Sequence, residues 1–303
     1  FISALYKLCK TYLGNRPLKQ NLKGKNILVT GAAMGIGKGL SECFAREQAN
    51  LILADLPEQK DLLETWASEL QKTYRIKTWT FYRDLTESDG PEQLYQQVVQ
   101  TVPEVHVLVN NAGLCWFGRF SEMPMEKLNT MILLNCLASA KLSRLFLPAM
   151  IERNEGGILN VSSVSAFQSV PKLGLYAATK ALTQSLTEAI QAELPRGSKV
   201  VITAMNPPFT RTNLINDAGV PLDFIPVKMS LMNVEEVTAS GVNAFIRGKE
   251  RYVPGLLNKI TYLGVSKFLP HSLLKRLIRL LSQRISDFIP ARVIAFFSSL
   301  KSK

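Results

Sequence analysis

Short, continuous apolar runs alternate with longer amphipathic stretches along most of the chain. Such runs are typical of strands buried on both faces, and the stretches between them have helical periodicity. The alternation predicts an α/β fold with a single doubly wound parallel sheet of about seven strands and helices on both faces. Six strands are predicted directly, at Lys25–Thr30, Asn50–Asp55, Lys77–Tyr82, His106–Asn110, Gly157–Ser162 and Lys199–Ala204. One predicted helix follows the first strand and ends near Gln48. Four others cover about 60–73, 91–101, 125–153 and 175–194.

The two ends of the chain differ from this body. Residues 1–24 form a basic amphipathic segment, 25–255 carry the alternating pattern, and 256–303 form a basic helical extension. A cationic amphipathic helix is a candidate anchor on an anionic membrane surface; packing on the body or on a partner subunit is the alternative. The apolar residues of the extension recur at spacings of one helical face: Leu273, Leu274, Leu277, Ile278, Leu281, Ile285 and Phe288.

Charge follows the same division. The 303 residues carry 36 basic and 24 acidic side chains, net +12. Residues 1–25 contribute +6 and residues 247–303 contribute +10, from twelve bases and two acids, so 26–246 carries −4. No nucleic-acid recognition motif accompanies the basic ends. No run of about 18 uninterrupted apolar residues occurs, so no transmembrane span is predicted. We expect a cytoplasmic protein that associates peripherally with membranes and does not bind nucleic acid.

The composition restricts which side chains could bind a metal or transfer a proton. Hydrophobic residues make up 47% and charged residues 20% of the chain, as in ordinary globular proteins. The four cysteines form no C-x-x-C pair and are expected to be reduced thiols, and only His106 and His271 are histidines. No metal site and no histidine-centred triad are therefore expected. Proton transfer would have to use Tyr, Lys, Ser or carboxylate side chains.

A glycine-rich turn follows the first predicted strand and opens a helix, with the spacing G-x-x-x-G-x-G over Gly31, Gly35 and Gly37. Glycines at such a turn let backbone N–H groups approach a pyrophosphate, and the helix dipole favours the anion. Asp55 ends the second strand, where a carboxylate accepts both ribose hydroxyls of an adenosine and repels a 2′-phosphate. NAD is thus favoured, and Lys38 leaves NADP as the alternative.

Tyr176 and Lys180 are spaced i and i+4, so they lie on one face of a predicted helix. A cation beside a phenol stabilises the phenolate and is expected to lower the phenol pKa, as general acid–base catalysis requires. Ser163, at the end of the fifth strand, could donate a hydrogen bond to a substrate oxygen. A Tyr–Lys pair alone is more often a surface contact, so the interpretation depends on the other motifs.

The ordered combination of the glycine-rich turn, Asn110-Asn111-Ala112-Gly113, Ser163 and Tyr176-Ala-Ala-Thr-Lys180 resembles the short-chain dehydrogenase/reductase family. The resemblance covers roughly residues 22–255. It implies a Rossmann-type sheet and hydride transfer between the nicotinamide of NAD or NADP and a carbon that bears an oxygen. The basic ends make the chain similar in layout to membrane- or lipid-associated members that act on steroids, retinoids or other lipids.

The resemblance also implies roles for individual residues. Tyr176 would be the proton donor or acceptor, Lys180 would bind the nicotinamide ribose and lower the Tyr176 pKa, and Ser163 would orient the substrate oxygen. Asn135 would hold a helix kink and a proton-relay water. The remaining cofactor contacts implied by position are Gly31, Gly35, Ile36, Gly37, Asp55, Asp84, Asn111, Gly113, Pro207 and Thr212.

Two positions depart from the family pattern. Pro208 stands where the family usually has glycine after proline, so the turn beside the nicotinamide is expected to differ because proline fixes φ and lacks an N–H. Ala138 replaces a glycine three residues after Asn135. Neither change removes a predicted catalytic group.

Apolar residues occupy three loops that line the substrate pocket in family members: 114–117, 170–173 and 213–233. The resulting expectation is an NAD(P)-dependent oxidoreductase that interconverts a hydrophobic primary or secondary alcohol and its aldehyde or ketone. Apolar lid packing without a bulky substrate is the alternative for these loops. A dinucleotide-binding scaffold without robust turnover is the alternative function. The partners expected are the small hydrophobic substrate, an anionic membrane surface and a second copy of the chain.

Overall fold

The computed structural model describes residues 20–168, 170–220 and 230–260. Seven parallel strands form one sheet in the order β3-β2-β1-β4-β5-β6-β7, which confirms the predicted doubly wound architecture. Each of the six strands predicted from the sequence is present with ends shifted by at most two residues. The strands are β1 Asn26–Thr30, β2 Asn50–Asp55, β3 Thr78–Tyr82, β4 Val107–Asn110, β5 Gly157–Val161, β6 Val201–Met205 and β7 Arg251–Tyr252.

Helices connect the strands and cover both faces of the sheet. They are α1 Gly35–Arg46, α2 Lys60–Tyr74, α3 Gly90–Thr101, α4 Met125–Ile132, α5 Ser139–Arg153, α6 Gly174–Glu193, α7 Asn213–Asp217, α8 Val234–Ile246 and α9 Leu256–Lys259. The strand β7 and the helix α8 are not among the elements predicted directly from the sequence. The two-residue strand β7 is too short to show a periodic pattern, and β6 is its one partner strand among the described residues.

Alternation within the strands separates the core into two halves. In β1, Ile27 and Val29 face a cluster that contains Phe44 of α1 and Phe245 of α8, whereas Leu28 faces the opposite cluster with Phe146 of α5. These six side chains are buried. Burying a large apolar side chain contributes about 2 kcal/mol, so neither face of the sheet could be exposed without a large loss of stability. The continuous apolar strand pattern results from this two-sided packing.

The predicted long helix over 125–153 contains a local distortion. A π-helical segment, Leu133–Ala138, separates α4 from α5. A π-helical turn widens the helix and is common at functional sites. By length and mean hydropathy, Met125–Arg153 is the one helix in the described ranges that could span a membrane; 39% of its most apolar window is buried in the fold. Its buried side chains include Met131, Leu142 and Phe146, and the latter two pack in the core cluster on one face of the sheet.

A cluster of ionic side chains lies at the amino ends of the central strands. Lys25 and Glu155 are 2.7 Å apart, and the Nε2 of His106 is 3.1 Å from Glu104. The main-chain N–H of Asn26 donates to Nδ1 of His106 over 3.1 Å. Burial lowers the pKa of His106 below its usual value, and nearby Glu104 opposes this shift. This amino-end cluster is on the side of the sheet away from the strand carboxyl ends.

The amphipathic segment 1–24 lies largely outside the described residues, as do the helical extension over 271–288 and part of the loop 213–233. The membrane-anchor interpretation and the division into 1–24, 25–255 and 256–303 therefore stay predictions.

Candidate active site

A cavity of about 720 Å³ opens at the carboxyl ends of the strands. The order β3-β2-β1-β4 reverses direction between β1 and β4, and ligands of open α/β sheets bind at such a switch point. The cavity brings together most of the residues predicted from the sequence, because each follows the end of a different strand or starts a helix. Those lining it are Gly31, Gly35, Ile36, Asp55, Asp84, Asn111, Gly113, Ser163, Tyr176, Lys180, Pro207 and Thr212.

The glycine-rich turn is shaped by two positive φ angles, 64° at Gly31 and 56° at Gly35. Gly37 is buried below the cavity, where a Cβ would overlap the Gly31 carbonyl oxygen. The helix α1 begins at Gly35 with no side-chain cap and no acidic residue in its first turn. Its first N–H groups have no intrahelical partner, so the turn is suited to bind an anion such as a pyrophosphate.

Asp55 lies at the end of β2, as predicted. Its carboxylate accepts hydrogen bonds from the main-chain N–H groups of Ala33 (2.8 Å) and Leu56 (2.9 Å). Burial raises the pKa of the Asp55 carboxyl, and the two hydrogen bonds oppose the shift. Arg83 lines the same part of the cavity, and its buried Nε has no hydrogen-bond partner among the described residues. Sequence reasoning missed Arg83, although it directly precedes Asp84 at the end of β3.

Asp84 and Asn111 are held in place by short local contacts. One oxygen of Asp84 accepts from both the N–H and the hydroxyl of Thr86, at 2.8 and 2.7 Å. The side-chain amide of Asn111 donates to the carbonyl oxygens of Thr30 (2.9 Å) and Gly31 (3.0 Å). Asn111 thus ties the loop after β4 to the glycine-rich turn, which fits its predicted place at the floor of the cofactor site.

Lys180 is buried at the base of the cavity, with 5% of its surface exposed. Its ammonium donates to the Val161 carbonyl at the end of β5 over 2.9 Å, and the hydroxyl of Ser162 donates to the Lys180 carbonyl over 2.8 Å. Burial lowers the pKa of Lys180 to about 8. No ion pair to Lys180 is found within the described part of the chain, so its charge is available to a ligand.

Tyr176 faces the same cavity one helical turn before Lys180. The Lys180 Nζ lies 5.7 Å from the centroid of the Tyr176 ring. Burial raises the pKa of the Tyr176 phenol above its usual value, and a hydrogen bond with Ser163 opposes the shift. The direction differs from the lowered pKa expected from the sequence, because loss of hydration outweighs the stabilising groups. The phenol is therefore protonated at neutral pH, which is the state of a proton donor.

Asn135 lies within the π-helical segment, in agreement with the kink expected from the family resemblance. Its side-chain oxygen accepts from the Leu114 N–H over 2.8 Å, and its amide donates to the Leu114 carbonyl (2.9 Å) and the Thr179 hydroxyl (3.1 Å). The Thr179 hydroxyl donates to the Tyr176 carbonyl over 2.8 Å. The helix α6 that carries Tyr176 is thereby connected to the loop after Gly113. Thr179 was not singled out from the sequence.

The segment after β6 closes one side of the cavity. The Pro207 carbonyl accepts from the Val164 N–H over 3.0 Å, and the Pro208 carbonyl accepts from the Thr210 hydroxyl over 2.9 Å. Pro208 thus takes part in an ordered turn through its carbonyl oxygen. A Cβ at Gly35 would lie 3.5 Å from the Thr212 methyl group, so this segment packs close to the glycine-rich turn.

Apolar residues line the substrate end of the cavity. Members of all three predicted loops contribute: Leu114, Trp116 and Phe117, then Val170 and Leu173, then Leu214, Ile215 and Val220. The predicted apolar residues between 221 and 229 lie outside the described ranges. Cys115 also lines the cavity, and burial raises the pKa of its thiol to about 12, so it is a neutral thiol at physiological pH.

The described residues fit a dinucleotide. The uncapped start of α1 can bind the pyrophosphate, Asp55 lies where the adenosine ribose would bind, and Lys180 can donate to the second ribose. The glycines leave room for this close approach. No group of three or more His, Cys, Asp or Glu residues suited to a metal ion is found among residues 20–168, 170–220 and 230–260.

The sheet order, the switch-point cavity and the Ser–Tyr–Lys arrangement define a dinucleotide-dependent oxidoreductase. A sequence model of the short chain dehydrogenase family matches residues 25–221, and the chain belongs to this family. Its members use NAD or NADP to oxidise alcohols or reduce carbonyl groups.

Comparisons with individual proteins agree with this family assignment. The chain is 30% identical over 254 residues to the very-long-chain 3-oxoacyl-CoA reductase-A of Danio rerio, which covers 78% of this chain and 77% of the relative. The fold is similar to a Sphingobium yanoikuyae short-chain dehydrogenase in complex with NADPH, with a TM-score of 0.71, 25% identity and coverage of 88% and 96%. A Burkholderia phymatum short-chain dehydrogenase/reductase in complex with NAD has the same fold, with a TM-score of 0.72, 22% identity and coverage of 85% and 96%.

Proposed function

We propose that this protein reduces bulky hydrophobic ketones or aldehydes, and oxidises the corresponding alcohols, with Tyr176 as the proton donor or acceptor. The observation that carries the proposal is the convergence of Tyr176, Ser163 and Lys180 at the base of one largely apolar cavity. When bound, the nicotinamide cofactor supplies or accepts the hydride.

Each polar group has one task in this proposal. Tyr176 donates its phenolic proton to the carbonyl oxygen as negative charge develops there. Ser163 donates a hydrogen bond that orients the same oxygen. The Lys180 ammonium stabilises the phenolate that remains, because a cation several ångströms away in a poorly hydrated site interacts strongly with a new negative charge. Asn135 and Thr179 act as positioning residues that fix α6.

We propose NAD as the preferred cofactor, with NADP as the alternative. Asp55 supports NAD because its carboxylate would accept from ribose hydroxyls and repel a 2′-phosphate. Arg83 supports NADP because an arginine attracts phosphate. Asp55 lies directly at the end of β2 and is fixed by two main-chain hydrogen bonds. Its effect on the cofactor preference is therefore expected to exceed that of Arg83.

The substrate class follows from the apolar wall. Trp116, Phe117, Leu214 and Ile215 line the end of the cavity beyond Tyr176 and favour a long or fused apolar group. The name of the Danio rerio relative, a very-long-chain 3-oxoacyl-CoA reductase, favours an acyl chain among these groups. Steroids and retinoids are the other members of the class that the cavity volume accommodates.

The experiment is a turnover screen of purified protein against ketones of increasing apolar size, with NADH and NADPH, beside a titration of NADH binding by fluorescence. Turnover that increases with apolar size supports the proposal. NADH binding without turnover of any ketone or alcohol would instead support a dinucleotide-dependent scaffold. The intact set of Ser163, Tyr176 and Lys180 argues against that scaffold.

We also propose that the enzyme acts in the cytoplasm at an anionic membrane surface, supported by the net charge of +10 over residues 247–303. Deletion of 270–303 should weaken sedimentation with vesicles of anionic lipid at low salt. Equal sedimentation of the full chain with anionic and neutral vesicles would contradict the proposal.

A further inference from the structure

Lys172, which lines the cavity, has an unfavourable backbone conformation. The N–H of Leu173 donates to the Val170 carbonyl over 3.1 Å and closes a four-residue turn. Pro171 takes the second position, and Lys172 takes the third with φ of 65°. A turn with proline second and positive φ third favours glycine or asparagine at the third position. A lysine there is strained, and strain of this kind is concentrated at functional sites.

The surroundings hold Lys172 against the substrate end of the cavity. Its carbonyl accepts from the Gly118 N–H over 2.9 Å, and its ammonium lies 5.5 Å from the centroid of the Phe117 ring. The side chain is half-buried and lines the cavity. In the part of the chain that the structure describes, no carboxylate forms an ion pair with Lys172. Within residues 20–168, 170–220 and 230–260, the ammonium thus lies beside an apolar wall without a charged partner.

Charge is distributed unevenly along the cavity. Its two lining carboxylates, Asp55 and Asp84, follow β2 and β3 at the adenosine end. Past β5 and β6, no aspartate or glutamate is found among the described lining residues, whereas Lys172 lines the cavity there. Lys127 of α4, which follows β4, is a further lysine that lines the cavity. Counting the described lining residues alone, a ligand that extends from Tyr176 along the apolar wall would therefore meet positive charge and no acid.

From this arrangement we propose that Lys172 determines specificity by binding an anionic group, a carboxylate or a phosphate, at the far end of the hydrophobic substrate. The substrate class is then an amphipathic carbonyl compound: apolar against Trp116 and Phe117, negatively charged at Lys172. The inference rests on the proposed function, because it concerns the same cavity. It adds a charge requirement that an apolar cavity alone does not impose.

The test uses ligand pairs in which one member carries an anionic group that the other lacks. For binding, calorimetry in the presence of NADH compares decanoate with decanamide, neither of which can react. For turnover, 9-oxodecanoate is compared with its methyl ester, and 3-oxodecanoyl-CoA with its N-acetylcysteamine thioester, which separates a carboxylate from a phosphate source. In the wild type, the anionic member of a pair should be preferred by about tenfold in Kd or kcat/KM, as for one charged hydrogen bond.

Three variants test whether the preference for the anionic ligand depends on the charge of Lys172. Lys172→Gln keeps most of the side-chain stem and removes the charge, and Lys172→Gly also removes the backbone strain. In both variants, the anionic and neutral members of each pair should bind and react to the same extent. Lys172→Gly should unfold at an equal or higher denaturant concentration than the wild type, so its loss of preference would not result from misfolding. Lys72→Gln, on the exposed surface of α2, is the matched charge control and should behave as the wild type.

The outcomes separate this inference from the proposed function. Equal Kd and equal kcat/KM for charged and neutral members in the wild type would overturn it while the ketone reductase remains. An anion preference that persists in both Lys172 variants, or that disappears only in Lys127→Gln, would also overturn it. Tight, Lys172-dependent decanoate binding without turnover of any ketone would support it and contradict the proposed reaction.

Discussion

The Lys180 ammonium lies 5.7 Å from the ring centroid of Tyr176 and donates over 2.9 Å to the carbonyl of Val161. The last residue of β5 thus fixes the cation that faces the phenol. A lysine held by a main-chain carbonyl cannot move away from the phenol without leaving that oxygen unpaired in a buried site, which costs about 1–3 kcal/mol. The sheet therefore determines the distance between the proton donor and its stabilising charge.

Replacing Tyr176 by phenylalanine removes the proton donor and retains the ring. We expect kcat to fall by about 100-fold or more, in the range that positioned proton transfer contributes. The affinity for NADH, measured by fluorescence titration, should change little because Lys180 and the glycine-rich turn remain. Turnover at the wild-type rate would contradict the role assigned to Tyr176.

The lowered pKa of Lys180, about 8, predicts how carbonyl reduction depends on pH. Below pH 8 the lysine is charged and stabilises the phenolate; above pH 8 it becomes neutral and kcat/KM for reduction should fall. Lys180→Arg keeps the charge at all accessible pH values. A pH profile of kcat/KM should lose the decline near pH 8 in this variant. A decline at the same pH in both proteins would assign it to another group.

Asp55 and Arg83 are expected to have opposite effects on the ratio of NADPH to NADH affinity. Asp55→Asn removes the negative charge and is expected to improve NADPH binding relative to NADH by about tenfold, the effect of roughly 1.4 kcal/mol. Arg83→Gln should shift the ratio toward NADH. Fluorescence titration of both cofactors against each variant checks this pair. Shifts in the same direction would show that the two side chains do not compete for the 2′ position.

Gly37 is expected to tolerate no side chain. A methyl group there would overlap the Gly31 carbonyl oxygen, which is backbone and cannot rotate away. Gly37→Ala should lower the free energy of unfolding by about 2–3 kcal/mol, as overpacking does, and weaken NADH binding. Gly174→Ala is the control, since a Cβ there meets nothing within 4 Å. Urea unfolding of both variants gives the comparison; equal midpoints would show that the glycine-rich turn adjusts.

The lowered pKa of His106 predicts acid sensitivity. The folded protein favours the neutral ring, so the unfolded chain takes up its proton first, at about pH 6.5. Stability is complete above that value and should decrease as the pH falls from 6.5 toward the lower folded pKa. His106→Asn keeps an acceptor near the Asn26 N–H and cannot titrate. Its urea midpoint should vary less between pH 7 and 5 than that of the wild type; parallel curves would exclude His106 as the cause.

The sequence predicts the sheet well because β1, β2 and β4 each contain a short continuous apolar run, and the other strands are largely apolar between polar turns. It also predicts Tyr176, Lys180 and Asp55, since fixed spacings or strand ends place them. The direction of the Tyr176 pKa could not be predicted, because it depends on how much water the assembled cavity excludes. Arg83 and Thr179 directly precede the predicted residues Asp84 and Lys180, but their contacts with the cavity and with Asn135 are formed only in the folded protein. The positive φ of Lys172 has a signal in hindsight, the proline before it.

The amino-end cluster around His106 and Glu104 lies across the whole sheet from Tyr176, because parallel strands direct every carboxyl end to one side. Among the described residues, no hydrogen bond or ion pair joins the amino-end cluster to Tyr176, Ser163 or Lys180, so the effects of substitutions in the two sets should be additive. The amino-end cluster could therefore be substituted to increase stability at low pH without changing the kinetics that depend on Tyr176.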